Sequence, residues 1–329
     1  MKIALTGAAG HLGAAILQEL SKRNIPVKAL IRGSDTRCCT GLPVEIARGD
    51  MMDAAVLASL MQDCDTVIHC AAVISVNGDP TGLVHKTNVA GTQLVIDHAL
   101  QGGIKRFIHI SSIHAFKQQP EIKILDETAA TADESSHAYG RSKYAGQQIA
   151  LAANNKGMEV LVINPTSIIG PYDFKPSLMG QTIIDLYKGR LPFIFNGGFN
   201  YCDSRDVANA IVNATSMGKP GEVYLVGGEW YSLKELVQFL ATASSKKINP
   251  VGLSLFAGKL GLPFIKLWAA INNNEPLYTI EVLDALFKDN RHISSEKAKA
   301  ALCYTARPFE ETIHDTFHWF KNNGYLDNQ

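Results

Sequence analysis

The chain has 329 residues, enough for one large domain or two of ordinary size. Its residues are 46% apolar and 19% charged, as in a soluble globular protein, and Lys plus Arg (31) balances Asp plus Glu (31). With no basic surplus or basic run, nucleic-acid binding is set aside.

In chain order, "KIAL" predicts a first strand, followed by the loop "TGAAGHLG" and the helical pattern "AAILQELSKR". "PVKALI" and "VEIARGD" read as the second and third strands, "AAVLASLMQDC" as a helix and "DTVIHCAA" as the fourth strand. "TNVAGTQLVIDHALQGG" is a helix ending at glycines, and "RFIHISS" is the fifth strand. "YGRSKYAGQQIALAANNKG" is a further helix, followed by the sixth strand "EVLVINPTSIIGP". Regular alternation of strand and helix predicts an α/β fold, a Rossmann-type doubly wound parallel sheet with helices on both faces. After Pro171 the rhythm loosens into helices and short strands, of which "EVYLVGG" can rejoin the sheet. The expected organisation is a dinucleotide-binding domain over 1–170, with 200–227 rejoining it. A mostly helical substrate lobe takes 171–199 and 228–329.

Gly7, Gly10 and Gly13 follow the first strand and open the first helix. Glycines let the backbone turn tightly and approach a pyrophosphate, while the helix start offers unpaired N–H groups and a partial positive charge. The expected contacts of this turn are Gly7, Gly10, His11, Leu12 and Gly13. In such folds an acid about 20 residues beyond the glycines binds the ribose hydroxyls of NAD. Here the second strand ends in Arg32. A guanidinium suits the 2′-phosphate of NADP, which a carboxylate would repel. NADP(H) is therefore favoured, with NAD(H) the alternative. Ser34 and Arg37 lie near enough to help, and Asp35 is the complication because it can swing toward the ribose. Fold position adds Asp50 and Met51 as adenine contacts, and Ala71 and Ala72 as small residues past which the cofactor runs.

Tyr139 and Lys143 form a YxxxK pair, one turn apart on a helix face. A free phenol has a pKa of about 10, and a neighbouring ammonium favours its ionised form. Such a tyrosine can pass a proton to a carbonyl oxygen as hydride arrives at the carbon. The fifth strand ends at Ser111 and Ser112, at the sheet edge where ligands sit, and a hydroxyl there can hold the substrate oxygen. Ser112 is chosen, with Ser111 turned into the packing. Among the histidines, His69 and His109 read as hydrogen-bonded core groups and His114 as a substrate contact. Phe116, Tyr172, Phe174 and Phe195 are expected to face an apolar cleft. Asp203, Arg205 and Asp206 are expected to cap and brace a helix. The six cysteines form no CxxC pair and no His-containing metal spacing, so no metal site is expected. No leader precedes the first strand and no apolar run is long enough to span a bilayer, which predicts a cytoplasmic chain with no integral membrane segment.

Together these motifs resemble the extended short-chain dehydrogenase/reductase family, with "GDMMD", "HCAA", "NVAGT", "NPTSIIGP" and "DSRDVANA" falling in family order along nearly the whole chain. Within it the chain is similar to dihydroflavonol 4-reductase and 3β-hydroxysteroid dehydrogenase. The resemblance implies an NADP(H)-dependent oxidoreductase with catalytic Ser112, Tyr139 and Lys143, and with Asn88 as a structural or relay residue. It adds Pro165 and Ser167 near the nicotinamide and makes a homodimer an expectation. One departure is that "SKxxAE" of the family helix ends here in Gly146 and Gln147. The main alternative is an NAD-dependent sugar-nucleotide epimerase or dehydratase, which shares the catalytic set. Arg32 and "NPTSIIGP" argue against it. A third reading is a non-catalytic NADP(H) sensor, disfavoured by the intact Tyr139 and Lys143. The substrate is a small molecule, and the apolar stretch 251–271 reads either as lobe core or as a greasy lid over a hydrophobic ketone or alcohol.

Overall fold

Strand alternation sets the architecture. In β1 (Ile3–Thr6), Ile3 and Leu5 enter one core while Ala4 enters another, and all four residues are buried. A strand whose two faces are both covered belongs in the middle of a parallel sheet. The computed structural model, which describes residues 1–121, 123–256 and 279–327, places it there. The other strands are β2 (Val27–Ile31), β3 (Val44–Arg48), β4 (Thr66–His69), β5 (Arg106–Ile110), β6 (Glu159–Pro165), β7 (Ser167–Ile169), β8 (Phe193–Phe195), β9 (Gly198–Asp203), β10 (Val223–Val226), β11 (Glu229–Ser232) and β12 (Val251–Leu253). Seven of them form one sheet in the order β10-β6-β5-β4-β1-β2-β3, and every pairing in it is parallel. The order reverses between β1 and β4, which opens a crevice at their carboxyl ends.

Helix α1 (His11–Lys22) and α7 (Ser204–Asn213) cover one face, packing Ile16, Leu17 and Ile211 onto Ile3, Leu5 and Ile108. On the other face α2 (Ala54–Met61), capped by the Asp53 side chain, and α4 (Gly91–Gln101) bury Leu57, Leu60 and Val95 against Ala4, Val67 and Phe107. Between them, α3 (Leu83–His85) leads into α4 through a π turn at Lys86–Ala90. The catalytic candidates lie on α5 (Ala138–Ala152).

The sixth strand read from the sequence is in fact two. At Thr166, whose N–H bonds to Val226 O (3.1 Å), the chain leaves the large sheet, and β7 instead joins β9 and β11. A separate core, including Ile183, Leu236, Leu283, Ile313 and Phe320, lies among α6 (Leu178–Tyr187), α8 (Leu233–Ser244), α9 (Ile280–Lys288) and, beyond α10 (Glu296–Leu302), α11 (Phe309–Asn322). Asp203 caps α7 and pairs with Arg205, which also holds Asp315, while Asp206 pairs with Arg307. These charges brace α11 against α7. Most of the apolar stretch 251–271 lies outside the described residues. No described helix is long and apolar enough to cross a membrane.

Candidate active site

The turn after β1 is shaped by what glycine lacks. Gly7 has φ +73°, and a Cβ there would lie 2.5 Å from Ala71 N, at the end of β4. A Cβ at Gly13 would lie 2.1 Å from Gly7 O, so α1 presses directly on the turn. Gly10, the exposed residue before α1, has no side chain over the helix end, and no side chain caps it. The N–H groups of His11, Leu12 and Gly13 thus start an uncapped helix aimed at the crevice, a fit for a pyrophosphate. The imidazole of His11 faces elsewhere, with Nε2 3.1 Å from Pro171 O and Nδ1 3.9 Å from the buried Asp173, leaving its backbone for the turn. Gly13→Ala is expected to destabilise the fold by about 1–3 kcal/mol through overpacking and to weaken dinucleotide binding with it. Thermal unfolding with and without cofactor measures both.

At the end of β2, Arg32 is exposed, its guanidinium 3.7 Å from Asp50. Beyond it Gly33 borders open space. Asp35 is committed to Arg37, whose Nε and Nη2 donate to its two oxygens at 3.0 and 2.8 Å. That hydrogen bonding holds the Asp35 carboxyl down to about 2. Arg37 also donates to Tyr325 Oη and Phe174 O. It is therefore spent on Asp35 and the C-terminal turn, not on the 2′-phosphate as the sequence suggested. The sequence reading missed Arg48. Register pairs it with Ile31, and its Nη1 donates to Gly33 O at 3.1 Å, beside Arg32. Asp50 Oδ1 accepts Met52 N–H. Met51 does not offer its side chain to adenine; it is buried in the core against Gly91. Ala71 is half-buried, its N–H on Thr6 Oγ1, and Ala72 is exposed along the crevice.

At the end of β5 the two serines part. Ser111 Oγ donates to Lys143 O (3.3 Å) and is turned inward. Ser112 Oγ accepts the His114 N–H (3.2 Å) and lies close enough to the Tyr139 hydroxyl to favour its ionised form. The lone pair taken by His114 N–H leaves the Ser112 proton to point toward the phenol or a substrate oxygen. Burial raises the Tyr139 phenol to about 12, against the nearby Ser112 hydroxyl, which lowers it. Lys143 is buried, its Nζ 2.6 Å from Ile110 O, and burial lowers it to about 8. Asn88, inside the π turn, exchanges hydrogen bonds with Val73 N and O and donates to Ser142 Oγ, tying the post-β4 loop to α5. Pro165 ends β6 and Ser167 opens β7, at the same carboxyl edge.

A glycine turn against β4, a strand-end serine, half-buried Tyr139 and buried Lys143 thus lie at the carboxyl edge of the sheet. The model of the NAD dependent epimerase/dehydratase family matches residues 3–227. The chain belongs to this family. Sterol demethylase protein B of Methylococcus capsulatus is 33% identical over 73% of the chain and 74% of its own length. A protein of Synechocystis sp. assigned as a dihydroflavonol 4-reductase is 28% identical over 99% and 96%. Among solved structures, gox2253 superposes with a TM-score of 0.84 at 30% identity, covering 99% of both chains. UDP-glucose 4-epimerase of Thermotoga maritima reaches 0.80 at 19% identity, over 98% of this chain and 99% of its own, a likeness of fold. This epimerase/dehydratase family, of the extended short-chain dehydrogenase/reductase type, comprises NAD(P)-dependent enzymes acting on CH–OH groups, and the chain is one of them.

Against the family pattern, the two departures on α5 have structural partners. A Cβ at Gly146 would lie 2.7 Å from Asn88 O, so glycine lets α5 touch the π turn. Gln147 accepts from Asn164 Nδ2, which also holds Ser112 O (2.7 Å). His69 is hydrogen-bonded to Thr6 and Thr92, and burial lowers it to about 3. His109 differs from expectation, because neither of its buried ring nitrogens has a hydrogen-bond partner among the described residues. Two further expectations need correction. Phe116 is buried with Ile113, Leu125 and Leu225, and Phe195 lies in the lobe core, so neither faces the cleft. Tyr172 and Phe174 pack edge-on against Trp319, near His11 and Arg37 rather than Tyr139. Among the described residues no cluster of His, Cys, Asp and Glu could hold a metal.

Proposed function

We propose that the chain is an NADP(H)-dependent carbonyl reductase, interconverting a ketone or aldehyde and an alcohol on a small apolar molecule. The observation that carries this is Tyr139, beside Ser112 and one helical turn from buried Lys143, in a fold whose β2 is followed by Arg32 and not by an acid. The glycine turn, with His11, Leu12 and Gly13, would hold the pyrophosphate; Arg32 with Arg48 would hold the 2′-phosphate; Lys143 would hold the nicotinamide ribose. When bound, the reduced nicotinamide supplies hydride. The chain's own residues do the rest. Ser112 donates to the carbonyl oxygen and fixes it beside Tyr139. The phenol, held protonated near neutrality by burial, gives its proton to that oxygen as negative charge develops. Lys143, as ammonium, favours the resulting phenolate.

The assignment of 1–170 with 200–227 to the cofactor, and of 171–199 with 228–329 to the substrate, belongs to this reading. The relatives named for a sterol and a flavonol support a bulky, largely apolar substrate. The test is a panel of apolar ketones followed by loss of NADPH absorbance. Oxidation of NADPH with at least one of them supports the reading; NADPH binding without any turnover speaks for the sensor, and co-purified, tightly held NAD for the epimerase. On the alkaline side kcat/KM is expected to fall around pH 8, as Lys143 loses its proton above its lowered pKa. A flat profile from pH 6 to 10 removes Lys143 from the proposed role.

A further inference from the structure

His114 joins the two sides of the site. Its backbone N–H bonds to Ser112 Oγ, and its ring meets the Tyr139 ring edge-on, with centroids 6.2 Å apart. Its Nε2 lies 2.8 Å from Oδ2 of Asp289, the residue that closes α9. The loop that carries it is pinned to the same segment. Gln119 N donates to Asn290 Oδ1 (2.7 Å), Asn290 Nδ2 donates to Gln119 O (2.7 Å), and Asn290 N donates to Gln118 Oε1 (3.1 Å). An imidazole fixed through one nitrogen by a carboxylate has its other nitrogen fixed in direction as well. That nitrogen, Nδ1, has no hydrogen-bond partner among the described residues, and the side chain is 34% exposed.

Resting on the reductase reading above, we propose that His114 is a specificity-determining residue whose Nδ1 binds a second oxygen of the substrate, a few bonds from the reacting carbonyl. The favoured substrates are then dicarbonyl or hydroxycarbonyl compounds on an apolar frame, not simple ketones. The surroundings suit a donor. Burial alone would lower the His114 pKa, but the charge and hydrogen bond of Asp289, with Glu281 behind it, outweigh burial and raise it. An imidazolium so held donates from Nδ1 to an oxygen acceptor. Other titratable groups here are His137, 3.7 Å from Glu281 and 3.5 Å from Asp284, and Lys288, which pairs with Asp284. A site built to hydrogen-bond a substrate group rejects the analogue that lacks it, because its own polar atom is left unpaired.

The test titrates benzil and its monoketone, deoxybenzoin, into the full chain saturated with NADP⁺, following binding by calorimetry. Wild type is expected to bind benzil about 10- to 100-fold tighter, the range of one hydrogen bond to a charged group. In His114→Phe the preference is expected to vanish while NADP⁺ binds as before; Asp289→Asn is expected to reduce it. Equal affinities in wild type, a comparison that needs no variant to fold, or a preference that survives in folded His114→Phe, overturn the proposal and leave the reductase reading standing. NADP⁺ binding with no binding of either ketone overturns the proposal as well, while the wider ketone panel decides the reductase reading.

Discussion

Tyr139→Phe is expected to bind NADPH as tightly as wild type and to turn over ketones about 100- to 10,000-fold more slowly, the usual range for a positioned general acid. The reasoning is local. Phenylalanine keeps the ring that packs against His114 and removes only the hydroxyl beside Ser112. The loss should fall on kcat, because the proton is needed only as charge develops on the carbonyl oxygen. Single-turnover kinetics with NADPH in excess measure it. A variant with normal turnover removes Tyr139 as the acid.

Arg32→Asp is expected to weaken NADPH binding by at least about 10- to 100-fold, the worth of a charge-assisted pair to the phosphate, and to improve NADH in relative terms. Asp50, 3.7 Å from the guanidinium in the wild type, would then face a second carboxylate, adding repulsion against any phosphate. The site is exposed, so the wild-type preference should also shrink as salt is raised. Cofactor titrations by fluorescence, at low and high salt, give both numbers. An unchanged NADPH to NADH ratio would move the phosphate contact away from β2, with Arg48 the next residue to replace.

The parts of this site that were legible in the sequence are those enforced by local geometry. The glycine turn could be read because only glycine leaves room for the 2.5 Å approach to Ala71 at residue 7 and the 2.1 Å approach at residue 13. The Tyr–Lys pair could be read because a spacing of four on a helix puts both on one face. The parts that were not legible depend on register and on distant chain. Arg48 reaches the Arg32 loop only through the β2–β3 register, and Asp289 reaches His114 across 175 residues. Arg37 looked free for a phosphate because nothing local announces Tyr325, 288 residues away, as its partner. Phe116 was misplaced because, beyond the end of β5, the chain enters a 3₁₀ turn at Ile113–Ala115 and strand alternation no longer gives direction. The division of the sixth strand at Thr166 had no such excuse in distance. A single apolar run simply does not record which of two sheets each half joins.

The most direct measurement is the fate of the hydride. NADPH carrying deuterium at the transferable position of the nicotinamide is incubated with the chain and a ketone it reduces, and the alcohol is analysed by mass spectrometry and NMR. One deuterium on the carbinol carbon, absent from the Tyr139→Phe reaction over the same time, is the predicted result. An alcohol whose carbinol carbon carries hydrogen from solvent in place of the label would contradict the account.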